Sequence, residues 1–277
     1  MAGASVGAQD GAVDVVLLEP LNEVLDLLVH RLIRPWLWYN PIYKLTSSGR
    51  KFRKYMELLR SFLEKIIQRR KESPNKIRED NAEHYQFEND KSTCLDILLE
   101  EHFKDASLTL EDIQGQMLSI LFAGYDTTTT LSWALCLLGH YPEVQDKVFQ
   151  ELNFIFGSNK TREVTLGDLN DMIYSEQVLK ETLRLYPPAP IIGRKNKESI
   201  QIGTRIIPPK SHILILIYML HKTPDVFPNP EKFDPDRFSA ENMATRDTYS
   251  FMPFSLGPRK CIGHLNAMTQ MKIILCH

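Results

Sequence analysis

The stretch FSLGPRKCIG, residues 254–263, decides how the rest of the chain is read. It sets one of only four cysteines, Cys261, between Gly257 and Gly263, behind a Pro-Arg-Lys step and ahead of a run with helical spacing, IGHLNAMTQMKIILCH. Gly257 permits a tight turn, and Gly263 lets a flat ligand come close to the backbone. A thiol at a helix start meets free N–H groups and the positive end of the helix dipole, which favour the thiolate. Arg259 is placed to meet an anionic group on the same ligand. From these residues alone, Cys261 is an incidental loop residue, half of a metal site, a redox thiol or a cofactor ligand.

A zinc site is the simplest metal alternative, because Cys261, His264, Cys276 and His277 all carry suitable donors. The residues between them read as a helix, however. At ~1.5 Å rise per residue, Cys261 and Cys276 stand roughly 22 Å apart. One tetrahedral ion collects all four only if that helix breaks.

The bulk of the chain narrows the class. Its 277 residues, 43% of them hydrophobic, suffice for one large domain or two ordinary ones. A formal net charge of −2 gives no global case for nucleic acid. Cysteines at 94, 136, 261 and 276 have no framework spacing and read as reduced thiols. The longest apolar run, ILILIYML (Ile213 to Leu220), is far short of the ~20 residues that span a bilayer. The first residues, MAGASVGAQDGAVD, lack the basic flank and apolar core of a signal peptide.

Along the chain, residues 13–70 read as two amphipathic helical segments around a break, with YNPIYKLTSSG as connector. Residues 71–106 open with a charged, apolar-poor stretch and are assigned to a mobile loop. LTLEDIQGQMLSILFAGYDTTTTLSWALCLLGHYP reads as one long buried helix. PEVQDKVFQELNFIFG is a further helix with Pro at its start and Gly at its end, TLGD is a capped start, and DMIYSEQVLKETLRLYPPAP is a helix stopped by proline. SIQIGTRIIPPKSHILILIYML then switches to strand-like residues around a Gly-Thr turn, and residues 222–260 are irregular, rich in proline and aromatics. The class is mainly α with a small β-sheet.

Three further motifs carry chemistry. AGYDTT (Ala123 to Thr128) places Asp126 and a run of threonines in an apolar helix. Either Gly124 ends one helix and Asp126 caps the next, or the helix stays continuous and opens locally through threonine back-bonding. In the second case, the Thr127 hydroxyl beside Asp126 can relay protons. ETLR puts Glu181 and Arg184 on one helix face, where an ordinary surface pair is worth a few tenths of a kcal/mol, on the order of 0.3. FDPDRF holds Arg237 between aromatic residues. If that loop packs on the Glu181 helix, the three form a partly buried Arg-Glu-Arg cluster.

In this order, A-G-x-D-T-T, E-x-x-R, P-x-R-F and F-x-x-G-x-R-x-C-x-G resemble the second half of a cytochrome P-450. The last pattern is matched at Phe254, Gly257, Arg259, Cys261 and Gly263. The resemblance implies that Cys261 is the axial thiolate ligand of haem iron, a ligation that favours O–O cleavage in this family. It implies that Glu181, Arg184 and Arg237 form a structural charge cluster. By the same resemblance, Asp126 and Thr127 are the acid-alcohol pair that delivers protons to dioxygen. Arg259 and Arg194 contact the haem propionates, and Phe254 shields the sulfur.

Within the family, RPWLW, IYKLTSSGRKF and KETLRLYPPAP resemble the family-four branch, associated with ω-hydroxylation of fatty acids. That branch often carries a glutamate ester-linked to haem where this chain has Ala123, so non-covalent haem b is expected. The resemblance further implies a lipophilic substrate, O2, and electrons from an NADPH-dependent flavoprotein reductase, with cytochrome b5 as a second donor. Arg259, Lys260 and Lys272 are candidates for the reductase face, against an ordinary solvated face. Trp36, Trp38 and Tyr39 are candidates for a membrane interface, against a packed helix junction. The family's setting is the endoplasmic reticulum membrane, although no anchor stands in these residues.

The expected organisation is a single partial domain: substrate-side helices over 1–70, a mobile loop over 71–106 and a haem-binding core over 107–277. The early helices, first strands and final strands of the family have no counterpart in the sequence. A truncated, non-catalytic product without stable haem is therefore the competing functional reading.

Overall fold

The computed structural model describes residues 17–72, 93–104, 108–157, 159 and 162–276. They are mainly helical, with two small antiparallel sheets. The chain divides into two compact units, Met1–Phe122 and Ala123–His277. That boundary lies inside the long helix Leu110–His140.

In the first unit, α1 (Glu19–Leu32) begins with Glu19 and Pro20 and ends with His30 and Arg31, each suited to its end of the helix dipole. Its buried face, Leu21 and Val24, meets Leu59, Phe52 and Tyr55 of α3 (Ser47–Glu72). The connector between them is itself folded. A 3-10 turn (Pro35–Leu37) and α2 (Asn40–Leu45) fill it. Asn40 and Pro41 open α2, and Arg31 holds the corner by donating to Leu37 O at 2.9 Å and Asn40 Oδ1 at 2.6 Å. Gly49 then lets α3 press against α2: a Cβ there would lie 1.9 Å from the Tyr43 carbonyl oxygen.

Residues 94–104 also correct the loop assignment. They form α4 (Cys94–Lys104), started by Thr93 and Asp96, which bond each other's backbone N–H groups at 2.8 and 3.3 Å. Leu95 and Leu99 bury against Leu63, Ile67, Ile113 and Met117, so apolar spacing outweighs the charged surroundings. The rest of the assigned loop, residues 73–92 and 105–106, lies outside the described residues, as do residues 1–16.

Helix α5 (Leu110–His140) is continuous through Gly124 and Asp126, so Asp126 caps no second helix. The hydroxyls of Thr129, Thr130 and Ser132 are satisfied by the carbonyls of Tyr125, Asp126 and Thr128, which lets polar residues sit within the helix. No helix among the described residues is long and apolar enough to cross a membrane.

In the second unit, α5 ends against α6 (Pro142–Phe156), α8 (Ile173–Leu185) and Phe233 through Leu137, Leu138, Val144, Val148, Val178 and Leu185. Thr165 and Asp168 form a reciprocal capping box at α7 (Leu166–Asp171). Glu151 of α6 caps α8 by accepting from the Ser175 N–H at 2.8 Å and the Ser175 hydroxyl at 2.6 Å. Helix α8 stops at Leu185, two residues before Pro187.

Strand β1 (Ile191–Lys195) pairs antiparallel with β4 (His212–Leu216), Arg194 opposite Ile213. Strands β2 (Ile200–Ile202) and β3 (Arg205–Ile207) make a second hairpin, with Gly203 supplying the positive φ of 58°. The apolar run ILILIYML therefore splits between β4 and the short helix α9 (Ile217–Leu220). After 3-10 turns and α10 (Ala240–Ala244), α11 (His264–Leu275) returns to the core, packing Met268 and Met271 on Leu131, Ala134, Leu179 and Leu183.

Candidate haem-ligand loop and its charge cluster

The residues of the four motifs, together with Arg194, belong to the second unit. Glu181 and Arg184 lie on α8, both wholly buried rather than forming a surface pair. Arg184 donates from Nε to Glu181 Oε2 at 2.7 Å and from Nη2 to Oε1 at 2.8 Å. Its other N–H groups reach the carbonyls of His221 (3.0 Å), Pro230 (2.7 Å) and Lys232 (3.2 Å). Glu181 Oε1 also accepts the Asp234 N–H at 2.9 Å, with Arg237 Nε 3.5 Å away. Burial pushes the Glu181 carboxyl upward, while Arg184, the Asp234 N–H and Arg237 pull against it. The structure thus brings Glu181, Arg184 and Arg237 to one point and hangs the irregular chain from it.

That irregular chain leads to the cysteine loop. Ser255, at φ 59°, and Gly257, at φ 76°, turn the backbone back on itself. The Cys261 N–H then donates to the Phe254 carbonyl at 2.8 Å, closing the loop. Cys261 is a free, exposed thiol. It precedes the helix rather than starting it, since α11 begins at His264 with Gly263 as N-cap. Phe254 is half-buried, with its ring 4.3 Å from that of His264.

Arg194 reaches the loop from β1 by donating to the Ser255 hydroxyl at 3.2 Å. Arg259 is exposed beside Cys261. On α5, Ala123 and Asp126 are accessible, Thr127 is half-buried, and a Cβ on Gly124 would meet nothing within 4 Å. Asp126 keeps its accessibility, yet nearby protein displaces enough hydration to raise its carboxyl above the ordinary value of 3.8. Thr127 makes no back-bond of the kind formed by Thr129 and Thr130.

The burial of two residues escaped the sequence reading. His221 is fully buried, and its Nε2 accepts the Met252 N–H at 3.0 Å. Burial, helped by the Arg184 charge, lowers its pKa to about 4, so it is neutral. Lys272 is also buried, donating to the Leu169 carbonyl at 2.9 Å and pairing with Glu176. It therefore cannot belong to a reductase-facing surface, which leaves Arg259 and Lys260, both exposed. The helix between Cys261 and Cys276 is continuous from His264 to Leu275, and His277 lies outside the described residues.

The surroundings of Cys261 fit an apolar, acid-bearing macrocycle. Ile262 and Leu265 are almost fully uncovered beside an open thiol, and arginines stand on two sides of the loop. A flat apolar group on this side of the loop would take that aliphatic surface out of water.

Comparison with known proteins points the same way. A model of the family described as Cytochrome P450 matches residues 2–277. Cytochrome P450 4c21 of Blattella germanica is 34% identical over 99% of this chain and 55% of its own length. Cytochrome P450 4V2 of Mus musculus is 36% identical over 99% of this chain and 53% of its own. A solved structure, retinoic acid bound cyanobacterial CYP120A1, superposes with TM-score 0.69 at 32% identity, covering 84% of this chain and 50% of that one. The chain spans about half the length of the curated relatives it matches. With a buried Glu-Arg-Arg cluster leading into a glycine-flanked cysteine loop and a family match along almost its whole length, the chain belongs to the cytochrome P450 family.

Proposed function

We propose that this chain is the haem-binding part of a haem-thiolate monooxygenase, with Cys261 as the axial ligand. The observation that carries this reading is the open Cys261 thiol on a loop closed by its own backbone and flanked by uncovered Ile262 and Leu265. Arg194, already held at Ser255, and Arg259 would meet the two propionates. Phe254 would screen the sulfur from water, Gly257 and Gly263 keep the loop slim, and Ala123 offers no carboxylate for an ester, leaving haem b bound non-covalently. When bound, the haem supplies oxidation of a C–H bond with O2 and two electrons from an NADPH-dependent flavoprotein reductase.

The chain's own residues order the protons. Asp126 holds its proton to higher pH than an ordinary aspartate because of lost hydration. The Thr127 hydroxyl is not spent on a helix carbonyl and stands beside it in sequence. The space over Gly124 leaves room for substrate. A lipophilic substrate such as a fatty acid agrees with the family-four names of the relatives, and the solved relative holds retinoic acid, also an apolar carboxylic acid. A reductase would dock at Arg259 and Lys260, with cytochrome b5 as a further donor, on the cytosolic face of the endoplasmic reticulum membrane.

The test is spectroscopic. The expressed chain is supplied with haem, reduced and exposed to carbon monoxide, and the Soret band is recorded. A red-shifted thiolate band that vanishes in Cys261→Ala supports the reading; absence of haem uptake overturns it in favour of a non-catalytic fragment. Thr127→Ala should keep the band while diverting reducing equivalents to peroxide, and full coupling in that variant would refute the proton role.

A further inference from the structure

Among the described residues of the second unit, His221 is the one wholly buried imidazole, and no part of the proposed chemistry uses it. Its backbone and its ring face different partners. The carbonyl accepts Arg184 Nη1 at 3.0 Å, which fixes His221 to the charge cluster. The ring Nε2 accepts the Met252 N–H at 3.0 Å, thirty-one residues further on. Because Nε2 accepts the Met252 N–H, the neutral ring carries its proton on Nδ1, a buried atom with no hydrogen-bond partner among the described residues. Phe251 packs on the imidazole at 5.0 Å and on Phe238 at 4.6 Å, so the ring cannot swing away.

Met252 is where the cysteine loop leaves the core. Its carbonyl accepts the Ser255 N–H at 3.0 Å, Ser255 receives Arg194, and the Phe254 carbonyl receives the Cys261 N–H. A continuous line of hydrogen bonds therefore runs from Arg184 through His221 to the turn that carries Cys261.

We infer that His221 is a positioning residue, whose Nε2 sets the register of the cysteine loop by holding the Met252 amide against the Glu181–Arg184 cluster. The inference deepens the proposed haem-thiolate reading, and only its spectroscopic arm rests on that reading. Removing the acceptor frees the Met252 amide, loosens the turn at Ser255 and weakens the Cys261 N–H bond to Phe254. A merely space-filling histidine would do none of this.

Two measurements on the haem-free full chain test the idea. Selective 15N labelling of wild-type histidine should show His221 protonated at Nδ1 and bare at Nε2; the opposite tautomer cannot accept from Met252 and overturns the inference without any variant. In His221→Phe, hydrogen exchange at the Met252 and Cys261 amides should rise about tenfold while α8 amides keep their protection. His221→Gln, which restores an acceptor, should recover much of it. Uniformly faster exchange, or unchanged Met252 and Cys261 amides, overturns it. With haem supplied, His221→Phe should shift the reduced carbon monoxide band from the thiolate position toward that of a neutral ligand. No haem uptake in wild type, with the amide pattern intact, sinks the haem reading and leaves the positioning role standing.

Discussion

Arg184 and Glu181 meet through two parallel hydrogen bonds, at 2.7 and 2.8 Å, with neither side chain exposed to solvent. A planar guanidinium matches a carboxylate in this way and leaves its remaining N–H groups for backbone carbonyls. Such a pair is hard to break from one side, because the survivor stays buried and charged.

Glu181→Gln should therefore cost about 3–5 kcal/mol in a urea unfolding measurement. Arg184→Lys should be nearly as damaging, since one ammonium cannot serve Glu181 and three carbonyls together. A loss below about 1 kcal/mol in both variants would contradict the buried geometry.

Two glycine substitutions should act in opposite directions. Gly49→Ala pushes a Cβ into the Tyr43 carbonyl and should cost about 1–3 kcal/mol, read as a lower melting temperature. Gly124→Ala meets no atom and replaces a poor helix former, so it should stabilise the haem-free chain by about 0.5–1 kcal/mol. If the proposed substrate space is real, the same change should weaken spectral binding of a fatty acid.

Lys272→Met keeps the aliphatic length but withdraws the donor from the Leu169 carbonyl and from Glu176. Glu176 retains Lys180 at 2.8 Å, so the expected loss is about 1–3 kcal/mol rather than that of a stranded charge. Electron transfer from a reductase should be unaffected once protein concentration is corrected for folded fraction. A selective loss of electron transfer would restore Lys272 to the docking face.

Acid should destabilise the second unit in a definite window. His221 titrates near 6.5 when unfolded and at about 4 when folded, so its neutral form is favoured by folding. That contribution is complete above pH 6.5 and is lost as pH falls towards 4, about 3 kcal/mol in all at ~1.36 kcal/mol per pH unit. Glu176, held below its ordinary 4.5 by Lys180 and Lys272 against the effect of burial, adds a loss at still lower pH. His221→Gln should flatten the first part of the pH–stability curve and leave the second. Asp126, raised by lost hydration, works the other way and penalises the folded state as pH rises past its unfolded value.

Periodicity made most helices legible, and punctuation made their ends so. Pro142 and Gly157 bound α6, and Thr165 with Asp168 opens α7 through purely local bonds. What stayed hidden depends on partners remote in sequence. Lys272 looked like surface charge because its partner Glu176 is 96 residues away. A signal was present: Lys272 follows Met271 and lies four residues after Met268, on the face that buries. His221 closes the run ILILIYML, and a polar residue ending so apolar a stretch is a candidate for burial with a partner. Helix α4 was missed because its leucines were weighed with the charges before them rather than at their own spacing.

The AGYDTT segment shows how local chemistry can admit two outcomes. Gly124 and Asp126 are as suitable for a helix break as for a continuous helix. The threonine hydroxyls, bonded four residues back, give the continuous form its polar satisfaction without solvent. In the cysteine loop, the turn was readable from Gly257, but the positive φ at Ser255 was not, since serine rarely adopts it.

The three carbonyls gathered by Arg184 belong to residues 37, 46 and 48 positions away along the chain. Bringing each of them to one guanidinium requires closing a long loop before any reward is collected. The irregular segment has little regular structure to assemble ahead of time, so its ordering should follow that of α8. Folding of this unit should accordingly show a late, slow phase in which the cysteine loop takes shape last, after the helices that will carry it are already in place.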